Sequence, residues 1–204
     1  MTFHSTVSRS ATLIAATLCI CLTLTGCGTA TAVQVVGAAV NAALETSGLK
    51  SKEGPKTVTV RLDTGDALNS TSDGEPLALL VRIYQLKSDA GFSSLSYAQF
   101  ANPGEEQSQL ADEVVHVREM MLLPGKSYSI EERLDEQTHV IGIVALFHSP
   151  APSRWKYAFD TTTDNDEGIA VGLHACSMTV GHGQLTNPQN AATAARLAGV
   201  RCGS

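Results

Sequence analysis

THVIGIVALFH, Thr138 to His148, is the stretch that decides the fold. Between its two histidines every side chain is apolar or absent, and Val and Ile dominate. β-Branched residues suit a pleated surface better than a helix. Ile141, Ile143, Ala145 and Phe147 recur every second position, which is the period of a strand. The spacing predicts a central β-strand, and the rest of the chain can be laid out around it.

Upstream, VVHVREMMLLPGKSYSIEERL (Val114–Leu134) reads as strand, turn at Pro124 and Gly125, and strand. Before it, DAGFSSLSYAQFANPGEEQSQLADE (Asp89–Glu113) breaks the β rhythm. Phe92, Leu95 and Gln99, with Tyr97 and Phe100 beside them, suit one or two short helices, with NPGEE as a turn. LALLVRIYQLK (Leu77–Lys87) is apolar enough for a buried strand. TVTVRLD (Thr57–Asp63) alternates Val58, Val60 and Leu62 against Thr57, Thr59 and Arg61, the mark of a half-buried strand. TGDALNSTSDGEP joins these two strands and has the composition of a loop.

Downstream, RWKYAFD (Arg154–Asp160) places Trp155, Tyr157 and Phe159 on one strand face. Trp155 therefore reads as core rather than as a platform for a sugar. GIAVGLHACSMTVG (Gly168–Gly181) is one long bent strand or two, with Gly172 marking a bend or bulge. Seven or so strands with turns between them and one helical insertion (about 90–113) describe a mainly β, two-sheet sandwich over residues 56–183. From Gln184 to Ser204 there is little to bury, and the stretch reads as a loosely held, partly helical tail.

The N-terminus belongs to a different kind of segment. Arg9 is followed by an uncharged apolar run from Ala11 to Leu24, shorter than the roughly 20 residues of a spanning helix. Residues 1–26 thus read as a secretory signal peptide. Leu24, Thr25, Gly26 and Cys27 resemble the lipobox of bacterial lipoproteins, in which the cysteine is acylated and becomes the new N-terminus. Glycine rather than aspartate at position 28 points to the outer membrane by the sorting rule of that family. Two or more acyl chains hold a protein stably on a bilayer that it does not cross. Residues 27–55 are small and weakly polar and read as a tether, with a short helix possible through Val33, Val36, Val40 and Leu44.

Composition narrows the function. The formal net charge is −6, which argues against nucleic acid, whose phosphates need Lys and Arg. Cys19 and Cys21 leave with the signal and Cys27 takes lipid, so Cys176 and Cys202 remain as an even pair in an oxidising compartment. Bridged, they would stabilise the fold by roughly 3 kcal/mol and pin the tail to the last strand. The alternatives are two free thiols or a metal pair, the latter without CxxC spacing. No GxSxG, HExxH or phosphate loop is present. His174, Cys176 and His182 could be brought together around a metal only with further ligands whose spacing is undefined. EERLDE (Glu131–Glu136) and DNDEG (Asp164–Gly168) read as solvated turns, the second without the twelve-residue calcium-loop pattern. No enzyme, cofactor or small-molecule substrate is expected.

LNSTSDGEPLALLVRIYQLKSDAGFSSLSYAQF carries a resemblance to the TssJ (VasD/Lip) family, the outer-membrane lipoprotein of the type VI secretion system. The matching features are Leu68, Asn69, Gly74 and Pro76; Val81 to Leu86; Phe92 through Phe100; the turn Leu122 to Lys126; the strand Ile141 to Phe147; Arg154 with Trp155; and Cys176 to Val180. The resemblance implies a transthyretin-like two-sheet β-sandwich with added helices and a structural, non-catalytic role at the periplasmic face of the outer membrane. It also implies binding to the periplasmic C-terminal region of TssM through the loop between the first two strands. Here that loop is Gly65, Asp66, Ala67, Leu68, Asn69, Ser70, Thr71, Ser72, Asp73, Gly74 and Glu75, with Leu68 as its one large apolar group. The family's helical segment is more continuous than ANPGEE allows, so no site is assigned to it. A periplasmic ligand-binding lipoprotein is the alternative, and it would show a preformed pocket near Trp155.

Overall fold

The computed structural model describes residues 55–163 and 167–203, within a compact unit that runs from Glu53 to Ser204. Cys27, the tether and Asp164–Asp166 of the DNDEG turn lie outside the described residues.

Among the described residues eight strands form two four-stranded sheets. One sheet holds, in order, β4 (Ser127–Arg133), β1 (Thr57–Thr64), β7 (Ile169–Leu173) and β8 (Met178–His182). The other holds β3 (Val114–Leu122), β2 (Leu79–Leu86), β5 (Val140–Leu146) and β6 (Lys156–Asp160). Only β1 and β7 run parallel; the other neighbours are antiparallel. Val58, Val60 and Leu62 face inward from β1 against Val81, Ile83, Ile141, Ile143 and Phe159 of the second sheet. The THVIGIVALFH stretch is indeed central, between β2 and β6.

Both faces of β5 are buried, although its alternation predicts only one. The reason is the helical insertion, which covers the outer face of the second sheet. It comprises α1 (Ala90–Ser94), α2 (Tyr97–Ala101) and α3 (Pro103–Leu110). ANPGEE starts a helix where the sequence suggests a turn. Asn102 is the N-cap of α3, Pro103 takes the first helical position, and Glu105 and Glu106 fill the first turn. Phe92 of α1 lies directly on Gly142 of β5, where a Cβ would stand 2.7 Å from the ring. Tyr84, on the same face of β2, meets Phe92 and Phe100 edge-on at 5.6 and 6.0 Å.

Charged groups tie the insertion down. Arg82 donates to Glu106, to the Phe100 carbonyl at 3.0 Å and to Glu119 at 2.7 Å, and the Tyr84 hydroxyl also donates to Glu106. Lys156 donates to the carbonyls of Phe92, Ser93 and Leu95 at 2.6, 2.8 and 2.6 Å. These carbonyls at the end of α1 would otherwise lack partners. The same ammonium lies over the rings of Phe92, Phe100 and Trp155. Burial lowers Lys156 to about 8.

Two local expectations change, those for the Trp155 face and for Glu132, and two gain detail. Trp155 is buried, but it packs on Tyr97 and Phe100 beneath the insertion, whereas Tyr157 and Phe159 pair with Ile143 and Ile141. The expected strand, turn and strand over Val114–Leu134 are present, with β3 and β4 in different sheets. Gly168–Gly181 takes the two-strand alternative, separated at 174–177, and the bulge falls between Ala170 and Val171 rather than at Gly172. Glu132, read as part of a solvated turn, is only 2 % exposed and accepts from Arg118 and from Gln85.

The segment after β8 is docked onto the sandwich. Asp160 and Thr186 donate to the Gln184 and Ala158 carbonyls at 2.8 and 3.0 Å, so residues 184–186 cover the open edge of β6. Leu185 and Ala194 are buried, the latter on α4 (Ala191–Ala194). Cys176 and Cys202 form a disulfide with Cα atoms 5.5 Å apart.

Candidate functional site

One end of the sandwich gathers the β1–β2, β3–β4, β5–β6 and β7–β8 connections, and the helical insertion between β2 and β3 leaves from the other end. β1, β3, β5 and β7 finish there, and β2, β4, β6 and β8 begin there. The chain enters β1 from the opposite end, at Thr57.

The β1–β2 connection at this end has a fixed stem and a projecting tip. Gly65 donates to the Leu173 carbonyl at 2.8 Å, and its own carbonyl accepts from Gly125. Asn69 and Ser70 donate to the His174 and Ala175 carbonyls at 3.1 and 2.9 Å, extending the chain beside the β7–β8 turn. The chain then folds back, with Leu77 donating to Leu68 at 3.0 Å and Thr71 to Glu75 at 2.9 Å. Thr71–Glu75 is therefore the tip of a small hairpin. Gly74 there has φ +83°, a conformation other residues rarely adopt.

Asn69 holds the stem. Its φ is 48°, in the left-handed region that Asn tolerates better than most residues. Its Oδ1 accepts from the His148 amide at 2.6 Å and its Nδ2 donates to the Ala78 carbonyl at 2.8 Å. One buried side chain thus joins the loop to the β5–β6 connection and to its own returning limb. Leu68 is fully buried in the core.

The eleven loop residues expected at a site separate accordingly. Asp66, Ala67, Ser72, Asp73, Gly74 and Glu75 are exposed; Gly65, Ser70 and Thr71 are half-buried; Leu68 and Asn69 are buried. Leu68, expected to present an apolar group outward, is turned inward by the same fold-back that lets Asn69 reach His148. The exposed surface of the loop is an acidic, polar tip. Neighbouring surface comes from Leu123, which is exposed, and Lys126 in the β3–β4 corner. That corner is fastened to Thr64, whose hydroxyl donates to the Leu123 carbonyl at 2.7 Å and accepts from the Lys126 amide at 2.8 Å. The role of Asn69 escaped the sequence reading, although an Asn in a Gly/Ser/Asp loop is a known left-handed candidate.

The residues weighed for metal chemistry have other roles. His174 meets the Thr179 hydroxyl at 2.9 Å, and burial lowers its pKa. Cys176 is bridged, and His182 pairs with exposed Glu167 at 2.8 Å. Among the described residues no group of three His, Cys, Asp or Glu is arranged to hold a metal. A hollow of about 300 Å³ lies beside Trp155, but the one cation at its wall, Lys156, already spends its three protons on carbonyls.

A family model described as T6SS-SciN, type VI secretion lipoprotein (VasD, EvfM, TssJ), matches residues 56–176. Among solved structures, the lipoprotein TssJ1 from Pseudomonas aeruginosa is 28% identical, with a TM-score of 0.56 over 62% of this chain and 95% of that one. A chain of a type VI membrane complex is 26% identical, with a TM-score of 0.55 over 61% and 97%. A chain from the structure of the TssM C-terminal domain from EAEC is 24% identical, with a TM-score of 0.52 over 61% and 97%, and shows the fold alone. No curated protein is a significant match.

Proposed function

Because the chain belongs to the T6SS-SciN family of type VI secretion lipoproteins, a structural family rather than an enzymatic one, we propose that it is the outer-membrane anchor of the secretion membrane complex. In this reading Cys27 carries the lipid, residues 27–55 form the tether, and the β1–β2 loop grips the periplasmic C-terminal region of TssM. One observation carries the assignment of the site: an exposed tip, Thr71–Glu75, stands on a stem locked by Gly65, Asn69 and Ser70. Binding elements are commonly loops on a rigid scaffold, because little entropy is then lost on association. The chain enters β1 at the end of the sandwich opposite the tip. Likeness to a chain of a type VI membrane complex supports the reading.

The test is calorimetry of the mature chain, made soluble by Cys27→Ser, against the periplasmic C-terminal fragment of its cognate TssM. Replacing Thr71–Glu75 with Gly and Ser should weaken binding at least tenfold while the thermal transition stays within a few degrees. Equal binding by both proteins would move the interface elsewhere on the sandwich. No binding by the parent protein would defeat the proposal.

A further inference from the structure

The tail that follows β8 returns to the loop end. It starts along the edge of β6 at Gln184–Thr186. It then passes the buried Arg154, whose guanidinium donates to the Arg196 carbonyl at 3.0 Å, and ends on the Cys176–Cys202 bridge. Cys176 adjoins Ala175, the residue whose carbonyl holds Ser70 of the loop. The last turn of the tail thus stands beside the stem of the hairpin.

Its chemistry is opposite to that of the tip. Residues 65–78 carry Asp66, Asp73 and Glu75 and no base, whereas residues 184–203 carry Arg196 and Arg201 and no acid. Both arginines are exposed, and neither guanidinium has an ion-pair partner among the described residues. Leu197 between them is 46% exposed. Opposite charges at one end of a sandwich, left unpaired, prescribe a partner surface with the complementary arrangement. The bridge also joins the last residue of the family match, Cys176, to a segment wholly outside it.

We infer that the disulfide-fastened tail, through Arg196, Leu197 and Arg201, is a second contact region for an acidic patch of the partner that the loop binds. The inference rests on the proposed partner. Arg196 is held by the Arg154 guanidinium and the Thr193 carbonyl, and the disulfide at Cys202 fastens the chain beside Arg201.

The experiment titrates the TssM fragment into the mature Cys27→Ser chain and into three variants of it: Arg196→Glu with Arg201→Glu, Arg196→Lys with Arg201→Lys, and Cys176→Ser with Cys202→Ser. Each is run at low and at moderate salt. The charge reversal should weaken binding about tenfold, with a smaller salt dependence, while the lysine variant stays within about threefold of the parent. The cysteine variant, measured below its melting transition, should fall between them. Charge reversal without effect, alongside normal parental binding, would overturn this inference and leave the loop reading standing. Failure of the parent chain to bind would overturn both.

Discussion

Asn69→Ala is the sharpest test of how the loop is held. The substitution removes the acceptor of the His148 amide (2.6 Å) and the donor to the Ala78 carbonyl (2.8 Å). Each of these half-buried bonds contributes about 1 kcal/mol net. Alanine must also adopt the φ of 48°, at a cost of about 1 kcal/mol relative to a residue at ease there. The sum is about 2–4 kcal/mol. With a urea slope of roughly 2 kcal/mol/M, the midpoint should fall by about 1–2 M at unchanged slope. Asn69→Gly separates the terms, since it relieves the backbone but restores neither bond, and should recover about 1 kcal/mol. Urea unfolding of the three proteins followed by circular dichroism reads these differences. A midpoint shift below about 0.25 M for Asn69→Ala would refute the claim that this side chain fastens the stem.

Cys176→Ser with Cys202→Ser should cost about 3 kcal/mol for a separation of 26 residues, seen as a lower melting temperature equal to that of the parent protein under reductant. Gly142→Ala drives a Cβ to 2.7 Å from Phe92 and should destabilise by about 1–3 kcal/mol; a neutral result in chemical denaturation would mean that the insertion shifts freely on the sheet. Lys156 titrates near 8 when folded, against 10.5 as its ordinary value. The unfolded chain therefore holds that proton more tightly, and stability should rise with pH above about 8 until the tyrosines ionise. Lys156→Met should flatten that rise in a melting series across pH 8 to 9.5.

How much was legible in the sequence depended on how local the cause is. Strand β1 was plain because one of its faces meets water, so Val58, Val60 and Leu62 alternate with polar groups. β5 was recognised as central, but its second buried face was not, because cover by α1 and α2 is a tertiary event. Trp155 carries the period of β6 in sequence, yet its ring packs on the insertion, where Tyr97 and Phe100 complete an aromatic cluster. The same distinction governs the site. Gly, Ser and Asp marked residues 65–75 as a loop. Nothing within that segment disclosed that Leu68 would fill the core or that Asn69 would reach His148, 79 residues away. Docking of the tail depends on the disulfide, which the even pair Cys176 and Cys202 suggested, and on a free β6 edge, which a segment so poor in large apolar residues did not disclose.

The most direct measurement is amide hydrogen exchange on the mature Cys27→Ser chain, alone and saturated with the TssM fragment. Among the described residues the Ser72 and Asp73 amides have no partner, so they exchange freely until something covers the tip. The account predicts strong new protection at Thr71–Glu75, with little change along β3 and in the helical insertion. Protection confined to β3, β4 or the insertion, with the tip still exchanging as in the free protein, would contradict it.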